Sequence, residues 1–206
     1  MGVKFVTQLC SPSARPSDTA DDFSIMFNGD RLLVEQLRRY HDRYAFESAL
    51  ETGTHKAETT RGLARLFPKV WTVEVDINYF LQSRAALARC PHVTLRLGNS
   101  PDAIRSLLPE FRYPLFAFLD AHWYEYWPLR DELSLLLAVK RPKLIMIHDF
   151  QVPGREFGFD NYFGRPNSLD FIGDLLPHNE CRYAFNHRTA PGSANRGVLF
   201  IEHLLD

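Results

Sequence analysis

Cysteine is scarce in this sequence. Its three cysteines, Cys10, Cys90 and Cys181, lie far apart and form no C-x-x-C pair. An odd, scattered set argues against a zinc site and against a disulfide framework, and fits free thiols in a reducing compartment. Long apolar runs are missing too. No stretch approaches the ~20 apolar residues that cross a bilayer. The N-terminus, MGVKFVTQLCSPSARPSDTADD, has no apolar segment of the length a signal peptide needs. Gly2 lacks the serine or threonine four residues on that N-myristoylation prefers. Charge of one sign is also absent: 24 Lys and Arg against 25 Asp and Glu leave a formal net charge of −1. Without a basic excess, neither nucleic acid nor a membrane surface is the expected partner. The expectation is a soluble, cytoplasmic protein.

What is present is ordinary globular material, 45% apolar and 24% charged, and 206 residues suffice for one substantial core. Residues 11–22 (SPSARPSDTADD) are polar and punctuated by proline, as in a flexible arm. Residues 29–42 place Leu32, Leu33, Leu37 and Tyr40 at helical spacing. The chain therefore divides into an N-terminal arm and helix over 1–43 and a single domain over 44–206. Within that domain the pattern alternates. Strands are predicted at 45–51, 70–75, 93–98, 115–120 and 143–150, and helices at 56–67, 77–90, 100–111 and 128–140. Such alternation means βαβ units and a doubly wound, mostly parallel α/β sheet. Residues 151–167 form a loop rich in glycine and aromatics, 168–176 a short helix, and 181–188 with 197–203 a closing antiparallel hairpin, giving seven strands.

Ligands of open α/β sheets bind outside the carboxyl ends of the strands. Those ends read Glu51-Thr-Gly, Glu74, Gly98-Asn-Ser100, Asp120-Ala-His122 and His148-Asp149, and every one is polar. Gly53 permits a tight turn and a close ligand approach. Neither a Walker loop nor G-x-G-x-x-G is present, and Glu51 before the glycine disfavours a phosphate. Glu74 is free to accept ribose hydroxyls because Asp76 is better placed to cap the following helix. Ser100 reads as a helix N-cap that could also meet an adenine edge. Asp120 and Asp149 end strands expected to be neighbours. Such a pair can hold a hard divalent cation, or one member can act as a base. His122 and His148 are candidate bases or loop-orienting groups. In FLDAHWYEYW (118–127), Tyr124, Tyr126 and Trp127 either line the pocket or pack beneath the next helix, and FGFDNYF (157–163) is either a lid or a segment packed on the sheet.

Taken together, E-x-G-T, V-E, G-N-S-P-D, L-D-A-H-W and H-D-F-x-V-P-G resemble class I S-adenosylmethionine-dependent methyltransferases over roughly residues 45–155. The order is most similar to the catechol and caffeoyl-CoA O-methyltransferase branch and its bacterial small-molecule relatives. The resemblance implies a Rossmann-like fold and S-adenosylmethionine as cofactor. It implies that Glu51, Gly53, Thr54 and His55 line the methionine end and that Thr59 touches the carboxylate. It further implies that Glu74 binds the ribose, that Ser100 sits beside adenine, and that His122 and Trp123 flank that ring. Asp120 would lie near the sulfonium, and Asp120 with Asp149 would be the metal pair, which leaves room for Mg2+. Asp120, Asp149 and His148 are the catalytic candidates.

The chain departs from that pattern at three points. Ala57 replaces a glycine, Ala121 separates Asp120 from His122, and Phe150 stands where metal-dependent members carry Asn or Asp. Lys143 precedes its strand and points to the wrong end to be a base. The expected activity is methyl transfer to a small-molecule acceptor, at oxygen first and nitrogen second, with or without a metal. A homodimer is allowed by the resemblance. The alternatives are a metal-independent enzyme using Asp149 or His148 as base, another enzyme on the same core, and a non-catalytic nucleotide-binding protein.

Overall fold

The structure, a computed structural model, describes residues 21–122 and 126–205. Two single helical turns, α1 (Asp21–Ser24) and α2 (Met26–Gly29), lead into α3 (Arg31–Tyr44). The helix expected over 29–42 thus starts later, because Asp30 is its cap. Asp30 Oδ1 accepts from Leu32 N at 3.0 Å and Leu33 N at 3.3 Å, and also from Ala190 N at 3.1 Å. One carboxylate therefore starts the helix and ties it to the far end of the chain.

The alternation follows: β1 (Ser48–Thr52), α4 (Glu58–Leu66), β2 (Val70–Glu74), α5 (Ile77–Ala86), β3 (Val93–Leu97), α6 (Ser100–Leu107), β4 (Leu115–Leu119), α7 (Leu129–Ala138) and β5 (Lys143–Ile147). The loop after β5 contains a small ribbon, β6 (Asn161–Tyr162) with β7 (Arg165–Pro166), and then α8 (Leu169–Ile172). The chain closes with β8 (Cys181–Phe185) and β9 (Leu199–His203). The main sheet has seven strands in the order β3-β2-β1-β4-β5-β9-β8. The first five run parallel, and β9 is antiparallel to both β5 and β8. This is the doubly wound α/β sheet with a C-terminal antiparallel hairpin that the alternation predicts. Among the described residues no helix is long and apolar enough to cross a membrane.

The central strands are apolar on both faces because both faces are covered. Leu115, Ala117 and Leu119 of β4 pack with Leu50, Ile145 and Ile147 beneath α6 and α7. Phe116 and Phe118 point the other way, with Ala49, Leu144 and Met146, towards Leu33 and Leu37 of α3 and Leu63 of α4. α3 therefore shares a core with the sheet. α5 is different: Ile77 and Leu81 are about half exposed, and Ser83 is its one buried residue. Asp76 does cap it, accepting from Asn78 N at 2.7 Å and Tyr79 N at 3.1 Å. At α6 the cap position is Asn99, and Ser100 is already helical, which corrects its reading as the cap.

Gly197, just before β9, is held by space alone. A Cβ there would lie 2.0 Å from Phe150 O and 2.9 Å from Val152 Cγ2. Gly197→Ala is expected to destabilise the protein by roughly 3 kcal/mol, the upper part of the overpacking range, as a lowered urea midpoint with unchanged slope.

Candidate active site

Strand register builds the site. Thr52 of β1 pairs with Val73 of β2 and with Leu119 of β4, and Leu119 pairs with Ile147 of β5. One residue further on, Glu74, Gly53, Asp120 and His148 stand in a row at the carboxyl edge of the sheet. A pocket of about 510 Å³ opens there, within the range of roughly 300–1,000 Å³ for small-molecule sites. Of the residues singled out in the sequence, Gly53, His55, Glu74, Ser100, Asp120, His122 and Asp149 line it. Glu51, Thr54, Thr59 and His148 are not in its wall. Trp123 lies outside the described residues, as does Tyr124.

Gly53 is required twice over. Its φ is +85°, and a Cβ would come within 2.8 Å of Asp120 O. This contact seats the first βα turn against the end of β4. The turn continues through left-handed residues, His55 at φ 50° and Ala57 at φ 61°, where a glycine would sit without strain. Its amides are used within the protein. Gly53 N and Thr54 N both donate to Val73 O, at 3.0 and 3.2 Å. His55 N donates to Glu74 Oε2 at 2.7 Å, and Asp76 N to Glu74 Oε1 at 2.9 Å. Glu74 is buried, and these two bonds fix its orientation. Each oxygen keeps an accepting position for a hydroxyl. The His55 ring lies against Tyr79, centroids 4.3 Å apart, on the same pocket wall.

Glu51 works behind this wall. It is fully buried, and its Oε2 accepts from Thr60 Oγ1 at 2.5 Å and Thr72 Oγ1 at 2.6 Å. Burial raises its pKa to about 8, although the two hydroxyls pull it down. Thr54 Oγ1 joins the same network, 2.6 Å from Thr72 Oγ1. Thr59 Oγ1 accepts from Phe27 N at 3.1 Å and so fastens α2 to α4.

A charge cluster occupies the other end of the pocket. His148 Nδ1 lies 3.2 Å from Asp120 Oδ1 and 3.1 Å from Asp149 Oδ1. Burial would depress the imidazole pKa, but the two carboxylates overcome it and raise it to about 10. His148 is therefore an imidazolium at neutral pH and has no lone pair with which to take a proton. Asp149 sits at φ 54° and is gripped by His148 and by the guanidinium of Arg196. Burial alone would raise its pKa, yet these two donors hold it well below the usual carboxylate range. Arg196 also bonds Asp160, whose second oxygen is 3.7 Å from His122 Nε2. Three carboxylates meet two cations, leaving one net negative charge when His122 is neutral.

Asp120, His148 and Asp149 offer three ligand atoms within 4.8 Å of one another, the spacing of a metal site. Their surroundings do not fit a divalent ion. Asp149 Oδ1 is already held by His148 and Arg196, and Phe150 is wholly buried in the core and supplies no third oxygen.

Beside Asp120 lies a set of buried polar atoms that neighbour one another without well-formed hydrogen bonds: Thr52 Oγ1, Ser100 Oγ and both oxygens of Glu132. Water or a ligand satisfies groups of this kind. Glu132, Arg196 and Asp160 were not recognised in the sequence. Glu132 reads as a helix-surface residue of α7. Arg196 is 47 residues from Asp149 in a turn-rich segment, and it carries no local signal. Asn28, which also lines the pocket, had one: Asn-Gly-Asp marks a turn, and Asn tolerates the φ of 56° it adopts. Trp127 stacks on Phe171, centroids 4.3 Å apart, and packs against the core.

No protein-family model matches this chain, and no curated protein matches it. Solved structures do. An O-methyltransferase from Bacillus cereus, crystallised in complex with SAH, superposes with a TM-score of 0.64 at 18% identity, over 84% of this chain and 80% of that one. TomG from Streptomyces achromogenes is an O-methyltransferase involved in tomaymycin synthesis, solved with SAM. It gives 0.59 at 16% identity over 83% and 78%. A SAM-dependent methyltransferase from Aquifex aeolicus gives 0.54 at 14% identity over 84% and 89%. The chain has the fold of these methyltransferases.

The buried Glu132 yields a pH signature. Burial raises its pKa to about 7 from 4.5, with the nearby Ser100 and Thr52 hydroxyls opposing. Below pH 4.5 both folded and unfolded states are protonated. Between the two values only the folded state keeps the proton, so its contribution to stability falls as pH rises and levels off above about 7. The loss is on the order of 3 kcal/mol. Glu132→Gln is expected to gain stability relative to wild type between pH 5 and pH 8, read as the difference in urea midpoints.

Proposed function

We propose that this protein transfers a methyl group from S-adenosylmethionine to the hydroxyl of a small-molecule acceptor. Glu74 carries the reading. It ends β2 as a buried carboxylate, pre-oriented by two backbone amides and facing a pocket of nucleoside size. Such a group suits the paired hydroxyls of a ribose. The fold supports it, since neighbours of that fold were solved with SAM or SAH. Ser100, in the same wall, fits an adenine edge.

The cofactor supplies an electrophilic methyl sulfonium, and this chain's residues do the rest. Asp120, across the pocket from Glu74, presents negative charge to the sulfonium end, and the net charge of the cluster matches a monocation. A hydroxyl acceptor must be aligned and must lose a proton. His148 as imidazolium and Asp149 beneath Arg196 are poorly suited to take it. Asp120 is better suited. Among the described residues its side chain has one hydrogen-bond partner, His148, through Oδ1. His148 then serves to hold Asp120 in place. No step requires a metal.

Calorimetric titration of S-adenosylhomocysteine tests the reading. Wild type is expected to bind, and Glu74→Gln to bind roughly 10- to 100-fold more weakly, the loss of one or two charge-assisted hydrogen bonds. A wild-type protein that binds no S-adenosylhomocysteine ends the proposal.

A further inference from the structure

In the sequence, Asp120 and Asp149 look like a divalent-cation pair. The fold delivers a third group to them. β9 runs antiparallel to β5, so its beginning reaches the edge where the parallel strands end. Ile147 pairs with Leu199, and Phe150 N donates to Gly197 O at 2.8 Å. Arg196 is thereby placed beside Asp149. Asn186 fixes the bend: its Oδ1 accepts from Val198 N at 2.9 Å and its Nδ2 donates to Arg196 O at 3.1 Å. Gly158 lies against the arginine, where a Cβ would be 3.0 Å from Nη1. Asp160 is positioned by its own amide, which donates to Asp149 O at 2.9 Å. The guanidinium then bonds Asp149 through Nε and Asp160 through Nη2.

We propose that Arg196 is the resident cation of this site: it occupies Asp149 and Asp160, carboxylates a divalent ion would need, and removing it frees that pair to hold a divalent metal. The arginine is built in from several sides. Its backbone is fixed by Asn186, its side chain is bounded by Gly158, and its fork is matched to two carboxylates from one loop. Without it, the two carboxylates it bridges would face one another with oxygen donors, and one or two carboxylates completed by water suit a hard cation such as Mg2+ or Mn2+. The inference stands on this geometry and does not depend on the identity of the methyl donor. S-adenosylhomocysteine binding and metal binding therefore succeed or fail separately.

The test titrates MnCl2 alone into chelator-stripped protein, with free Mn2+ read by electron paramagnetic resonance. Wild type is expected to show no site tighter than about 1 mM. Arg196→Met keeps an unbranched stem that ends near the Nε position and removes the charge. It is expected to bind one Mn2+ at least about tenfold more tightly than wild type, and adding Asp149→Asn should abolish that site. A tight Mn2+ site in wild type, lost on Asp149→Asn, overturns the proposal. So does a folded Arg196→Met protein that binds no Mn2+. Should Arg196→Met be unfolded in chelator, Mn2+ is expected to restore its native circular dichroism, and failure to do so also overturns the proposal.

Discussion

The parallel register of β2, β1, β4 and β5 is the constraint on which the site depends. Thr52, Val73, Leu119 and Ile147 pair across four strands, so the next residue on each arrives at one edge together. Gly53 makes this alignment productive, because only a residue without Cβ lets the first turn rest on Asp120 O. The turn then aims the His55 amide at Glu74, and Glu74 faces the pocket with its carboxylate already oriented. Sheet pairing, a close backbone contact and one side-chain bond are successive steps of the same construction.

Electrostatics divides the pocket. At the Glu74 end, backbone amides orient a single carboxylate. At the Asp120 end, an imidazolium and a guanidinium partly neutralise three carboxylates. Burial makes both cations matter, since a buried unpaired carboxylate is costly. The ion pairs here are thus held by the surrounding core more than they stabilise it. The remaining negative charge is what a singly charged cationic ligand would meet.

Behind the pocket wall lies a second layer of acids. Glu51 and Glu132 are both fully buried, and both have pKa values raised towards or above neutrality. Glu51 is held by two threonine hydroxyls, whereas Glu132 has two hydroxyls nearby, of Ser100 and Thr52, without a well-formed hydrogen bond. Their difference is one of hydrogen-bond geometry rather than burial. β2 brings Thr72 and α4 brings Thr60 to Glu51, while Glu132 on α7 faces Thr52 at the end of β1 and Ser100 at the start of α6.

The sequence by itself determined the element order, because the apolar strands and amphipathic helices differ in period and their boundaries carry local turn and cap residues. Asp76 capping α5 and polar residues ending every parallel strand are readable from neighbours in the chain. Which candidates share one pocket was a tertiary decision. Glu51 and Thr59 have the right residue types, but strand alternation and the packing of α2 turn them to threonine partners and to Phe27. Arg196 was beyond any local reading. It precedes its strand rather than ending one, and it reaches the site only because β9 runs antiparallel to the strands whose ends form the edge. Local pattern specifies elements; the direction in which a distant strand is added decides which charges meet.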